Sequence, residues 1–441
     1  MIEDRSQRYC VIGAGASGLT AAKNLREHGI AVDVFELGDV VGGTWKITHP
    51  LSRVYASTHT ISSPPFTQFP DFPMPDHWPD YPHHTQIGEY LDRYAAHFGL
   101  DEVIGLSTRV ERVESADDGA LWDVTLRQAD DEAQTLRYAG VVICNGHNWY
   151  PKLPDYPGEF TGQTMHSAQY KTPDVLRGKR VLVVGGGNTG CDIAVEAAQN
   201  AASTLHSTRR GYWYAPKYNL GKPNDQVTDI FFGLRLPTRV IQRIFETTLK
   251  LTVGDLTRHG LPKPDHRILE THPIANSQLV YYVGHGDITP KPDIERLDGD
   301  SVVFRDGTRE ALDLIVWATG YQMHFEFIDD RHLNMVDGKP VLYLNAFPPD
   351  HDNLFVIGLL QPDSGVFNLM HWQAQVMARF IVAARDKPAV AEQFRAARRE
   401  HLGERRSGGF SYLGSARHHL EIEHMDYIRA LADIVETLDA A

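Results

Sequence analysis

The apolar positions of the chain repeat one arrangement twice. Tyr9-Cys-Val-Ile12 is a short apolar run; glycines follow it, and then Leu19 to His28, where apolar residues recur at helical spacing. Ala31-Val-Asp-Val-Phe35 next alternates like a strand and ends on an acid, Glu36. The order returns at Arg180-Val-Leu-Val-Val184, with glycines, a helical stretch from Cys191 to Gln199, and a β-like run closing on Arg209-Arg210. Strand, helix and strand joined by short links make a βαβ unit and a parallel sheet.

The pattern elsewhere is coarser. An amphipathic helix is predicted over Gln86 to Leu100, with Ile87, Leu91, Tyr94, Ala95 and Phe98 on one face. Strands are predicted at Arg109 to Glu114, Trp122 to Arg127 and Thr135 to Tyr138, then a separate buried strand through Gly140 to Gly146. Tyr212 to Gln278 reads as an insertion, with a loop at Lys217 to Asp225 and a helix from Pro237 that buries Val240, Ile241, Ile244, Phe245 and Leu249. Strands at Ser301 to Phe304, Leu314 to Tyr321 and Leu354 to Gly358 precede helices over Leu369 to Ala384, Val390 to Glu400 and Glu423 to Leu438. Seven prolines lie between Pro64 and Pro82, interleaved with Phe66, Phe69, Phe72, Trp78 and Tyr81. Proline denies this stretch a central strand or a long helix, so it reads as an ordered loop that buries its aromatics over the first unit.

The glycines give both units a chemistry. Gly13-Ala-Gly15-Ala16-Ser17-Gly18 and Gly185-Gly-Gly187-Asn188-Thr189-Gly190 each stand between strand and helix. In such a fingerprint the first glycine makes the turn, the second admits a pyrophosphate, and the third lets helix and strand pack closely. About 20 residues on, the end of the next strand reads the ribose. A carboxylate there pairs with the 2′,3′-diol and repels a 2′-phosphate, whereas arginines welcome one. Glu36 therefore argues for FAD or NAD, and Arg209-Arg210 for NADPH. One chain carrying both passes a hydride from nicotinamide to flavin.

Composition narrows the picture. At 441 residues the chain suits two domains, and its formal charge of −14 disfavours nucleic acid or an anionic membrane as partner. Cys10, Cys144 and Cys191 lie far apart and read as small core residues; without a CxxC, a dithiol-disulfide reductase is disfavoured. Met1 to Arg8 is too short and polar for a signal peptide, and no apolar run is long enough to span a bilayer, so a cytoplasmic location is expected. His83-His84, His418-His419 and His424 lack dependable metal-site spacing, so no metal is expected.

Phe160-Thr-Gly162-Gln-Thr-Met-His166-Ser-Ala-Gln-Tyr170 matches FxGxxxHxxxY. With the two fingerprints, Gly42-Gly43-Thr44-Trp45 and Ala318-Thr319-Gly320-Tyr321, it makes nearly the whole chain resemble the flavin-containing monooxygenase family. Tyr170 followed by Lys171 resembles the branch that oxidises heteroatoms, where Baeyer–Villiger relatives carry Trp followed by Pro or Asp.

The resemblance implies an α/β fold of two Rossmann-like, glutathione-reductase-like domains, the NADPH domain inserted into the FAD domain. The boundaries expected are 1–172 with 320–441 for FAD, and 173–319 for NADPH with the insertion at about 212–278. It implies NADPH-dependent formation of a flavin C4a hydroperoxide that oxygenates a soft nitrogen or sulfur of a small amine or sulfide, with O2 as co-substrate. Ketone oxidation to esters and an uncoupled NADPH oxidase stay open, as does NADH as an alternative donor. A homodimer is the family habit.

Mapped onto this chain, Gly13, Gly15, Ala16, Ser17, Gly18 and Glu36 would hold the FAD diphosphate and ribose, with Gly43, Thr44 and Trp45 along its middle. Asn145, Gly146 and Gln361 would lie near the flavin. Gly185, Gly187, Asn188, Thr189, Gly190, Arg209 and Arg210 would hold NADPH, with Ala318 to Tyr321 beside them. Phe160, Gly162, His166 and Tyr170 would form the hinge between domains, where His166 is either a cofactor neighbour or a buried histidine bonding loop carbonyls. The family often places an Asn over the flavin, and the ungapped equivalent here is Ile61. His59 or Ser62 is the expected replacement, with Thr60 also at hand.

Overall fold

The computed structural model describes residues 2–129, 131–234, 236–272, 274–414 and 419–440. Met1 and His418 lie outside these residues. Two parallel-rich sheets organise the chain. The first holds β1 (Ile2–Ile12), β2 (Ala31–Phe35), β3 (Ile104–Gly105), β4 (Thr108–Ala116), β5 (Leu121–Gln128) and β6 (Gln134–Ile143), in the order β3-β2-β1-β6-β5-β4. Leu354–Val356 adds to β6 in parallel. α1 (Ala16–Glu27) crosses from β1 to β2 and packs on helix Phe367–Asp386. The small buried residues Ala21, Ala22 and Ala374 let these helices approach closely.

The second sheet holds β7 (Gln163–His166), β8 (Arg180–Val184), β9 (Ser203–Ser207), β10 (Ile288–Lys291) and β11 (Leu314–Trp317), in the order β10-β9-β8-β11-β7. α2 (His84–His97) lies under the proline-rich loop of the first unit, and α3 (Asn188–Asn200) crosses from β8 to β9. β8 and β11 bury the unbroken apolar runs expected of strands covered on both faces. The fold is thus α/β with two Rossmann-like units.

Several expectations change. The polar N-terminus is not a lead-in: Ile2 to Arg5 pair with Thr135 to Tyr138, so β1 begins well before Tyr9. The strands read separately at Thr135 to Tyr138 and Gly140 onward are one strand, β6, which pairs with β5 at one end and with Leu354–Val356 at the other. β7 belongs to the second sheet through β11, so that unit starts before residue 173. In the insertion, α4 (Asn224–Gly233) precedes α5 (Thr238–Thr252); Ile241 and Leu249 are buried but Val240 is 42% exposed. An amphipathic period shows which residues share a face, not how wide the buried stripe is.

The proline-rich loop is ordered. Phe69 is fully buried, with Tyr94 and Phe367 ring centroids at 4.4 and 5.3 Å. It also meets the insertion: the Ser63 amide and hydroxyl donate to Asp225 at 2.6 and 2.9 Å, and the Tyr81 hydroxyl donates to the Lys217 carbonyl. Among the described residues no helix is long and apolar enough to cross a membrane.

Candidate active site

Both glycine cradles show the same local physics. Gly13 has φ +101° and Gly185 φ +130°, a region that side chains rarely enter. A Cβ on Gly13 would sit 2.7 Å from the Cys144 carbonyl oxygen, and one on Gly185 would sit 2.1 Å from that of Ala318. The third glycines are tighter: a Cβ would fall 1.8 Å from the Gly13 carbonyl at Gly18, and 2.0 Å from the Gly185 carbonyl at Gly190. α1 and α3 begin on Gly15 and Gly187, neither helix has a side-chain cap, and no acid stands in either first turn. Each leaves its first N–H groups for an anion.

The ribose readers differ. Glu36 is buried and accepts from the Ala14 amide (2.7 Å), the Gly38 amide (2.7 Å) and His49 Nε2 (2.8 Å). A carboxylate has about four lone-pair sites, so roughly one is left for a ribose hydroxyl. Arg210 is held by Asp265 at 2.8 Å, while Arg209 is exposed.

The segments that leave the carboxyl ends of the first sheet bring the remaining residues together. The Gly42 amide donates to the Ala14 carbonyl at 2.9 Å, which docks the Gly42–Trp45 turn on the first cradle. Gly43 itself has φ +53°, and a Cβ there would come within 3.1 Å of Gly15 Cα. Trp45 meets Phe367 edge-on at 6.3 Å. Asn145 follows β6, and its Nδ2 is buried with no hydrogen-bond partner among the described residues. Gln361 follows Leu354–Val356 and is tied through its amide to the Leu420 carbonyl at 2.9 Å. Ligands of open α/β sheets bind at this edge.

Two linkers join the sheets side by side. The Lys152 amide donates to the Gly320 carbonyl at 3.0 Å, Thr319 Oγ1 donates to the Lys152 carbonyl at 2.5 Å, and Tyr321 pairs with Pro151. His166 belongs to this seam. Its Nε2 meets the Gly320 carbonyl at 3.1 Å, its Nδ1 accepts the Ala168 amide at 3.1 Å, and burial lowers its pKa. It is therefore a neutral, loop-bonding histidine. The rest of the signature is structural as well: the Phe160 ring would lie 2.5 Å from a Cβ on Gly162, and the buried Tyr170 donates to Glu196 on α3.

His59 and Ser62 are both engaged within the chain. His59 is exposed, with Nδ1 on the Ser57 carbonyl and its ring edge-on to His83 at 4.9 Å. Ser62 is buried, but its hydroxyl is engaged with Thr67 at 2.8 Å. Thr60, between them, has a buried hydroxyl with no partner among the described residues. Alternation along an extended segment puts Thr60 inward where His59 points out. Sequence reading passed over Arg53, His49 and His206, isolated residues with no motif around them. His206 Nε2 meets the Gly185 carbonyl at 2.9 Å and braces the second cradle. Among the described residues, no group of three His, Cys, Asp or Glu side chains could hold a metal.

The family model described as Flavin-binding monooxygenase-like matches residues 6–441. Flavin-containing monooxygenase 5 of Oryctolagus cuniculus is 32% identical over 448 residues, covering 97% of this chain and 83% of that protein. The chain belongs to the flavin-containing monooxygenase family. It is an FAD- and NADPH-dependent monooxygenase. Two solved structures share its fold. S-allyl-L-cysteine S-oxygenase from Allium sativum has a TM-score of 0.66 at 23% identity, covering 98% of this chain and 88% of that one. Cyclohexanone monooxygenase from Rhodococcus has a TM-score of 0.71 at 19% identity, covering 99% and 98%.

The family's cofactors fit the residues present. The unpartnered Asn145 amide and Thr60 hydroxyl are buried polar groups that a flavin's polar edge would satisfy, and the two glycine cradles are spaces a Cβ would fill.

Proposed function

We propose that the first cradle holds FAD, the second holds NADPH, and the protein transfers one oxygen atom to a soft nitrogen or sulfur of a small molecule. The observation that carries this is the pair of cradles with opposite ribose readers, joined by one two-linker seam. The overall reaction balances as NADPH, H⁺, O2 and a sulfide giving NADP⁺, water and a sulfoxide, or likewise an amine giving an N-oxide. Bound FAD would supply the two-electron redox chemistry that links NADPH to O2.

The chain's own work is to bind, orient and keep water out. Glu36 accepts from the FAD ribose, and the first turn of α1 faces the diphosphate. Asn145 and Thr60 donate to polar atoms at the flavin. Arg209 takes the 2′-phosphate of NADPH. The proline-rich loop and the insertion, hydrogen-bonded through Ser63 and Asp225, roof the site and keep it dry. No acid or base is required at the substrate, whose own lone pair attacks. Tyr170-Lys171 and the S-oxygenating Allium sativum relative support a heteroatom substrate over a ketone. A cytoplasmic location and a homodimer complete the reading.

The test is NADPH turnover with a dialkyl sulfide, a tertiary amine and a cyclic ketone. The proposal expects sulfoxide or N-oxide matched to NADPH consumed. Ester from the ketone, or H2O2 alone, contradicts it. Thr60→Val and Asn145→Ala should each raise H2O2 released per NADPH by about 3- to 30-fold, the effect of one lost hydrogen bond. Ser62→Ala should leave that ratio unchanged.

A further inference from the structure

Arg53 is a half-buried guanidinium that no carboxylate meets among the described residues. Its Nη1 donates to the Ser52 carbonyl at 2.9 Å, its Nη2 donates to the Trp149 carbonyl, and its Nε is buried without a partner. The Tyr321 ring lies beneath it, 5.7 Å from centroid to guanidinium. Lys171 shares the place: its Nζ donates to the carbonyls of Ser52 and Val54, both at 3.0 Å. Burial lowers the pKa of both cations, and the Arg53 charge lowers that of Lys171 further. The chain carries 57 acidic and 43 basic residues, so the missing acid is not a matter of supply. Desolvating charge without a counter-ion is costly, and an anion from outside the chain would remove that cost.

The location says which anion. The Arg53 amide donates to Thr44 Oγ1 at 3.2 Å, so the residue abuts the turn on the first cradle. Two residues on, the Tyr55 hydroxyl donates to Asp192 on α3 at 2.8 Å, so the same strand of chain touches the helix of the second cradle. Tyr321 ends the return linker, whose Ala318 carbonyl closes over Gly185. Arg53 thus stands where the nicotinamide half of a dinucleotide must cross from one cradle to the other. Two phosphates match two cations, which a single substrate carboxylate would not.

We propose that Arg53, with Lys171 beside it, meets the nicotinamide side of the NADP(H) diphosphate, whose other side faces the Gly185–Gly190 turn and the first turn of α3, and so holds NADP⁺ in the seam between the cradles. This rests on the reading of the second cradle as the NADPH site. The test is isothermal titration of NADP⁺, and in parallel 2′-AMP, into oxidised holoenzyme of wild type, Arg53→Gln and Arg53→Lys, each at full flavin content. Arg53→Gln should weaken NADP⁺ binding by about 10- to 100-fold, the range of a lost charge-assisted contact, with Arg53→Lys in between. Binding of 2′-AMP, which lacks the diphosphate, should stay within about twofold because Arg53 makes no contact with that end.

Equal losses for both ligands would mean that Arg53 merely supports the cradle, and would overturn the proposal. Unchanged NADP⁺ affinity would overturn it too; a raised KM for a carboxylate-bearing sulfide, but not for a neutral one, would then assign the residue to substrate. A wild type that binds neither ligand overturns the assignment of the second cradle itself.

Discussion

The two cradles share one backbone design and differ in how far they are finished before a ligand arrives. In the first, Glu36 is buried and already holds two amides and His49, and the Gly42–Trp45 turn is docked on Ala14. In the second, Arg209 stands in solvent, Arg210 is held from the side by Asp265, and Tyr212 lies against Gly186. A finished site suits a ligand that stays, because little ordering remains to oppose binding. An open site with an exposed charge suits one that comes and goes. The contrast matches a resident FAD and an exchanging NADPH.

The largest effects that sharpen this contrast come from the third glycines. Gly18→Ala forces a Cβ against fixed backbone, so it should cost about 3 kcal/mol or more and give protein without flavin colour. Gly190→Ala makes the equivalent clash in the second cradle. It should leave the protein yellow while slowing reduction by NADPH by about 100-fold. Flavin content by absorbance and the rate of anaerobic bleaching separate the two; colourless Gly190→Ala would break the comparison.

Next is Arg209→Ala. It should raise the NADPH Kd by about 10- to 30-fold and leave that for NADH nearly unchanged, since a charge-assisted phosphate contact is worth about 1.5–2 kcal/mol. Equal changes for both donors would remove Arg209 from the 2′-phosphate.

The smallest effect is the pH dependence of stability. His206 and His424 are buried and neutral; burial lowers the pKa of the first and pushes that of the second down to about 4. His424 Nε2 faces the Asn368 amide nitrogen at 3.0 Å, so it accepts there, and protonation would set donor against donor. The folded pKa lies below the unfolded value of 6.5, so this contribution is complete above 6.5. It is lost as pH falls from there through about 4. Urea midpoints should therefore drop between pH 7.5 and 5, and His424→Gln should flatten part of that slope. A midpoint that rises on acidification contradicts it.

Much of this was legible because apolar runs, glycine turns and a charged strand end are local signals. β2 and β8 fall on the residues the alternation predicts, and α2 lies within a few residues of its expected place. What was not legible depends on distant partners. β6 looked like two strands because its neighbour changes halfway along. That Thr60 is buried while His59 is exposed depends on which way one extended segment faces. Arg53 carries no motif, and its meaning lies in the absence of a nearby acid among the described residues.

The central claim is that the two cradles work as one hydride path. Purified holoenzyme mixed with NADPH without oxygen tests it directly. The account predicts that the visible absorbance of the flavin bleaches fully with one equivalent of NADPH, and that 4R-deuterated or 4S-deuterated NADPH slows the step. A flavin that dithionite bleaches but NADPH leaves yellow would contradict it.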